Sequence, residues 1–136
     1  QCFEIAEVKR LREELGWKGR LVMLLSGGGK GKDGTDFPYL RTEEGLLEIS
    51  AIVDGIGPPI GSIITGKSPE DRQITDLVKH AHAANLVVHP YTLRSDELPA
   101  VVRSADDLMD LLFRKAGADG LFTDFPDVTV KWLEKE

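Results

Sequence analysis

Two short segments hold most of the side chains suited to contacting a small substrate: His89-Pro90-Tyr91-Thr92 and Phe122-Thr123-Asp124-Phe125-Pro126-Asp127. Each places polar and aromatic residues directly after a short apolar run. Two readings stand side by side at this level. The residues contact a substrate, or Asp124 or Asp127 caps a last helix while the aromatics close the mouth of the fold.

Other motifs fail on spacing. Gly27-Gly28-Gly29-Lys30-Gly31-Lys32-Asp33 looks like a phosphate loop, but that loop needs four residues between its glycines and then Lys-Ser/Thr. Here Gly27 and Gly31 enclose three, and Asp33 stands where the hydroxyl belongs. The stretch reads as a flexible loop whose lysines meet solvent or anions. In Gly55-Ile56-Gly57-Pro58-Pro59-Ile60-Gly61 the last glycine comes one residue late for a dinucleotide fingerprint, and two prolines block the helix start that would hold a pyrophosphate. His80 and His82 are two apart on a predicted helix, point in different directions and form no metal pair. His80 reads as solvent-facing, and His82 as capping or packing.

The elements that position these residues show a rhythm. Apolar runs at Arg20–Leu25, Val53–Gly57, Leu86–His89 and Gly120–Thr123 start 33, 33 and 34 residues apart. Parallel βα units give that repeat, because each crossover needs a helix and two loops. Short continuous runs imply strands buried on both faces. Helical spacing predicts helices over Glu4–Leu15, from Ser68 to about Ala84 with Ile74, Leu77, Val78 and Ala81 inward, and over a weaker Thr42–Ala51 stretch. Further helices are predicted from Ser104 to Gly117, with Leu108, Leu111 and Leu112 inward, and over Asp127–Glu134, carrying Val130 and Leu133. Ser26–Thr42 reads as one long loop. The expected fold class is α/β: part of a TIM (β/α)8 barrel with about four to five βα units, residues 1–136 forming a single partial domain. An open flavodoxin-like sheet competes but lacks its Gly-rich first turn. On a barrel, loops after the C-terminal strand ends form the active face, which favours the HPYT and FTDFPD segments.

A 41% hydrophobic, 29% charged chain with net charge −6 is globular in composition and a poor candidate for a nucleic-acid groove. No apolar run approaches the roughly 20 residues that span a bilayer. Cys2 is the sole cysteine, so no disulfide within the chain is possible. The chain opens on Gln1 without a leader, which reads as a removed leader or a piece of a longer protein.

LVVHPYTLRSDELP (Leu86–Pro99) and AGADGLFTDFPDVTVKWLEKE (Ala116–Glu136) resemble the end of bacterial glycerophosphodiester phosphodiesterases of the periplasmic type. QCFEIAEVKRL (Gln1–Leu11) and VDGIGPPI (Val53–Ile60) fit the same family in the same order. The resemblance implies the C-terminal half of a TIM barrel that hydrolyses glycerophosphodiesters to glycerol 3-phosphate and an alcohol. It implies two catalytic histidines and one divalent cation, Ca²⁺ or Mg²⁺, held by carboxylates. Such a cation neutralises charge developing on the phosphodiester oxygens, and a histidine supplies the leaving group's proton. The family's His-Arg-Gly strand, its Glu-x-Asp metal strand, its second catalytic histidine and its Glu-x-Lys strand all precede the QCF segment, and none of those strands is present here. No catalytic residue and no metal ligand carries over, and His89 is promoted to neither role. Phe3, Tyr91 (where many relatives have Trp) and Phe125 are implied to wall the site, with His89, Thr92 and Asp124 as polar contacts or braces.

The first expectation is therefore a phosphodiesterase portion, inactive alone, periplasmic or secreted, whose partners are a glycerophosphodiester and the N-terminal half of the barrel. The alternative is a non-catalytic half-barrel that binds ligands and self-associates through unpaired strand edges. Barrel phospholipases acting on phosphatidylinositol and sphingomyelinase D relatives share the layout but fit the two segments less well.

Overall fold

The computed structural model describes residues 1–135. Its centre is a parallel sheet of β1 (Val22–Leu24), β2 (Gly55–Gly57) and β5 (Val87–Val88), in that order. Val22 pairs with Gly55, and Gly55 with Val87. The sheet is prolonged on both sides by isolated parallel bridges, Cys2 to Met23 and Leu93 to Thr123. Five segments thus lie side by side in chain order. The architecture is mixed α/β around a parallel sheet.

The expected fourth strand, Gly120–Thr123, does not form as a regular strand. Pro90 has no N–H to donate, so the ladder between 86–93 and 118–124 is broken there. The segment is still tied across by Asp119 N–H to Val88 O (3.0 Å), Phe122 N–H to Pro90 O (2.9 Å) and Leu93 N–H to Phe122 O (2.9 Å).

Two Asp-Gly pairs fasten the N-terminal ends of the sheet. Asp54 accepts from Leu21 N–H at 2.8 Å and from Arg12 at 3.0 Å. Asp119 accepts from Val88 N–H at 2.7 Å and lies 2.8 Å from His82 Nε2. Burial works against the Asp119 carboxylate, but His82 and the Val88 N–H outweigh it and hold its pKa below the usual value. Each aspartate bridges two segments through one oxygen, with a base from a helix alongside. The glycine after each lets the neighbour approach: a Cβ on Gly55 would come 2.6 Å from Val87, and one on Gly120 2.7 Å from the His89 ring.

The helices follow the expected periods at most places. α1 (Ile5–Lys9) runs on as a π-type turn, Arg10–Glu14, and buries Val8. α2 (Phe37–Leu40) lies inside the stretch read as one long loop; Asp36 caps it through Tyr39 N–H. α3 (Glu43–Ile49) is capped by Thr42, and α5 (Ala105–Met109) by Ser104. α5 continues as a π-type helix, Asp110–Ala116, and ends at Gly117 with φ 82°.

The expected helix from Ser68 is the largest departure. Asp71 gathers the Lys67 and Ser68 N–H groups into a turn, and β3 (Ile64–Thr65) pairs antiparallel with β4 (Gln73–Ile74). α4 starts only at Leu77 and runs to Ala83. Ile74 is therefore a 40% exposed strand residue, not an inward helical one. In α6 (Pro126–Leu133) the buried positions are Thr129 and Trp132, while Val130 and Leu133 face outward.

Met23, Ile56 and Val88 project from one sheet face and are fully buried, with Leu46, Ala81, Leu108, Met109 and Leu112 of the helices. Burying each large side chain contributes roughly 1.5–3 kcal/mol. The opposite face is not sealed as expected: Val87 is 39% exposed, and Val22 and Leu24 are half-buried.

The Gly/Lys-rich loop is anchored rather than loose. Thr35, 1% exposed, accepts Ile5 N–H at 3.0 Å, and Asp33 accepts Ala6 N–H at 3.2 Å. The Thr35 hydroxyl donates to Asp33 at 2.6 Å. These side chains satisfy two of the free donors at the start of α1. The Thr35 hydroxyl, then its N–H, lowers the Asp33 pKa. A depressed folded pKa gives stability that is present above the unfolded value and lost as pH falls through the folded one. Thr35→Val is expected to cost about 1–3 kcal/mol in urea unfolding, by stranding Ile5 N–H and removing one of the two bonds to Asp33 Oδ1, which keeps the residue-35 N–H. A change within 0.3 kcal/mol, in roughly the range of neutral surface substitutions, would show that the latch contributes nothing.

Candidate functional site

The C-terminal ends of the parallel segments carry two adjoining clefts. One, of about 320 Å³, is lined by Phe3, Tyr91, Thr92 and Asp124, together with Gln1, Leu24, Phe122 and Thr123. The second, of about 340 Å³, lies across the Phe3 and Tyr91 rings and adds Glu4, Ser26, Gly31, Lys32 and Phe37. Residues from the Cys2, β1, β5 and Thr123 segments meet here because all run parallel, so their C-terminal ends share one side.

The wall between the clefts is aromatic. Phe3 meets Tyr91 edge to face at 5.9 Å and Phe37 at 6.5 Å. Such pairs contribute about 0.5–1.5 kcal/mol beyond their buried area. The Tyr91 hydroxyl donates to Leu25 O at 2.6 Å, pinning the ring to the end of β1. Burial raises the Tyr91 pKa, with Arg41 acting weakly against it, so the phenol keeps its donated proton at neutral pH.

Four of the six residues expected at the site thus share one cleft: Phe3, Tyr91, Thr92 and Asp124. Asp124 is exposed and 3.8 Å from Arg94. It does not cap α6, whose cap position is Phe125 without a side-chain bond. His89 is not brought to either cleft. Its ring lies over Gly120 and faces Phe122 edge-on at 6.5 Å. Phe125 begins α6, its N–H donating to Thr123 Oγ1 at 3.0 Å, and lines neither cleft.

Lys32, Glu4, Phe37 and Leu24 are the contributors that motif spacing missed. Lys32 sits in the loop that failed as a phosphate motif, and the Asp33 and Thr35 latch ties that loop to the start of α1. His80 is part-buried rather than solvent-facing; with Arg41, Thr75 and Asp76 it lines a separate cavity of about 670 Å³. His82 is exposed and pairs with Asp119.

The donor set does not make a divalent-cation site by itself. Among the described residues, Asp124 is the only carboxylate lining the first cleft and Glu4 the only one lining the second. No group of three His, Cys, Asp or Glu side chains suited to a metal occurs among the described residues. No helix among them is long and apolar enough to cross a membrane.

Fold and clefts together define a mixed α/β protein with two adjoining clefts at its C-terminal strand ends. Residues 1–128 match the Glycerophosphoryl diester phosphodiesterase family, and the chain belongs to that family. It is 31% identical, over 98% of its length, to a glycerophosphodiester phosphodiesterase of Haemophilus influenzae, and spans 41% of that relative. Over 74% of the chain it is 32% identical to one of Treponema pallidum, covering 29% of that protein. Over 62% it is 40% identical to one of Arabidopsis thaliana, covering 24%.

Proposed function

We propose that this chain supplies part of the substrate cleft of a glycerophosphodiester phosphodiesterase of the periplasmic type, a phosphoric diester hydrolase releasing glycerol 3-phosphate and an alcohol. The observation that carries the reading is the meeting of Phe3, Tyr91, Thr92 and Asp124 on one cleft at the C-terminal strand ends, in a chain of this family. Its sequential parallel segments are those of a barrel's C-terminal half. The two open sides of the sheet, at Cys2 and at Thr123, are where the rest of the barrel joins.

In this reading the chain binds and orients, while proton transfer and the Ca²⁺ or Mg²⁺ site belong to segments outside residues 1–136. The cation neutralises charge on the phosphodiester oxygens when bound. Tyr91 and Phe3 wall the diester, and Thr92 and Asp124 contact its polar groups. A periplasmic or secreted location is part of the same proposal, by the resemblance of Leu86–Pro99 and Ala116–Glu136 to the periplasmic type.

The test is glycerol 3-phosphate release from glycerophosphocholine with Ca²⁺ or Mg²⁺ present. The 136-residue chain alone is expected to show none above background. Joined to the part of the Haemophilus influenzae relative that it does not match, it is expected to turn over substrate. Activity of the chain alone would show that it holds its own catalytic groups and overturn this division of labour. A folded but inactive joined protein would count against the phosphodiesterase reading itself.

A further inference from the structure

The cavity of about 670 Å³ shares no lining residue with either cleft. Its walls come from the segments after β1 and β2 and from the start of α4. β1 and β2 stand inside the row of parallel segments, not at its open sides. Nothing has to join the sheet for this space to form.

Arg41 brings a charge to the cavity that no carboxylate meets. Its side chain is part-buried, with Nη1 donating to Ser26 O and Nη2 to Gly28 O at 3.4 Å. It has no other hydrogen bond and no ion pair among the described residues. Arg12, Arg72, Arg94 and Arg103, by contrast, each lie against a carboxylate. Asp76 is the one carboxylate on the cavity wall among the described residues; it is 71% exposed and already faces Lys79 at 3.9 Å.

A guanidinium taken partly out of water and met only by neutral carbonyls lacks a counter-charge. Its remaining N–H donors, Nε and the second hydrogen of each terminal nitrogen, lie in a plane that fits paired oxygens of an anion. Ser62 adds a hydroxyl whose oxygen has no partner among the described residues, and His80 adds a ring nitrogen. A planar carboxylate would spend both oxygens on the guanidinium. A tetrahedral phosphate keeps further oxygens for the hydroxyl and the ring.

We propose that this cavity is an anion site distinct from the two clefts, taking inorganic phosphate or a small phosphate monoester, with Arg41 as its anchoring cation and Ser62 and His80 as further donors. The site does not depend on the phosphodiester reading above. Arg41 also holds Ser26 O, and Ser26 lines the second cleft, so occupation of the cavity is expected to be felt at the Ser26–Gly27 peptide.

The test titrates the ¹⁵N-labelled 136-residue chain with inorganic phosphate and with glycerol 3-phosphate, at an ionic strength held constant with sodium chloride. Saturable shifts are expected at the Gly27, Gly61 and Ser62 amides. Gly61→Asp adds a carboxylate to the wall, where a Cβ on Gly61 meets nothing within 4 Å, and touches neither Arg41 bond. It is expected to weaken both anions at least about tenfold through like-charge repulsion, while Gly61→Ala binds as the wild type does. Arg41→Gln is expected to lose binding as well. Tighter binding of glycerol 3-phosphate would make the monoester the occupant, and tighter binding of inorganic phosphate the free anion; both support the site. Equal affinity in Gly61→Asp and Gly61→Ala, or unsaturable shifts spread over the exposed lysines, would overturn it. Shifts at Thr92 and Asp124 alone would overturn it too, by placing the anion in the first cleft, and would support the phosphodiester reading.

Discussion

Leu93→Ala is expected to lower the unfolding free energy by about 2–5 kcal/mol, the range for a leucine removed from a packed interior. Leu93 is fully buried at the point where the segment after β5 meets the last extended segment. Its backbone makes three of the hydrogen bonds there: Leu93 N–H donates to Phe122 O, and Leu93 O accepts from Asp124 N–H at 3.1 Å and from the Thr123 hydroxyl at 3.3 Å. A void beneath this crossing removes the packing that holds the pairs in line. Urea unfolding gives the stability change, and amide exchange at Asp124 reports the local effect, with protection expected to fall more than at Ile56. Val87→Ala, at a 39% exposed strand position, is the control and should cost less than half as much. A loss below about 1 kcal/mol for Leu93→Ala would mean the site collapses onto the vacancy.

Tyr91→Ala carries the largest expected effect on function. The ring divides the two clefts, and its hydroxyl ties them to β1. Tyr91→Phe removes only the hydrogen bond to Leu25 O and should cost about 1 kcal/mol of stability. Tyr91→Ala also removes the edge contact with Phe3 and merges the clefts. Because the ring is half-buried, a stability loss near the low end of the roughly 3–5 kcal/mol seen for buried aromatics is expected. In the joined, active protein, kcat/KM for a glycerophosphodiester should fall at least tenfold, equivalent to about 1.4 kcal/mol of lost binding to the transition state. Tyr91→Phe should keep most of it. Equal kcat/KM in wild type and Tyr91→Ala would remove Tyr91 from the site. The pH dependence has a definite sign. Burial raises the phenol's folded pKa, so its contribution is complete below the unfolded value near 10 and is lost as pH rises through the higher folded value. Tyr91→Phe should remove that alkaline loss and leave neutral-pH behaviour unchanged.

How much of this was legible beforehand differs by element. α3 and α5 announced themselves, because Thr42 and Ser104 are capping residues placed directly before apolar residues at helical spacing. The Ser68-Pro69-Glu70-Asp71 stretch carried an equally good helix start and made none. Its aspartate satisfies local N–H groups in a turn, and two short strands pair across it. Local hydrogen bonding by Asp and Ser competes with helix in just this way, and propensity alone does not say which wins. Of the residues expected at the site, Phe3, Tyr91, Thr92 and Asp124 line one cleft, because parallel strands send their C-terminal ends to one side. His89 and Phe125 line neither cleft, because a ring's direction depends on its neighbours. Gly120 leaves a space that only the His89 ring fills, and Phe125 is drawn into the start of α6.

By itself, the sequence determined the family, most of the alternation of strand and helix, and which segments end on the side that carries the clefts. These depend on residue type and spacing along the chain. The tertiary structure alone decided that the Gly/Lys-rich loop is latched to α1, that Lys32 and Glu4 line one cleft, and that Tyr91 borders two clefts. Those facts rest on hydrogen bonds and ring contacts between residues some 30 to 90 positions apart. No local pattern encodes them, because each partner is ordinary in its own segment and acquires its role only from the other.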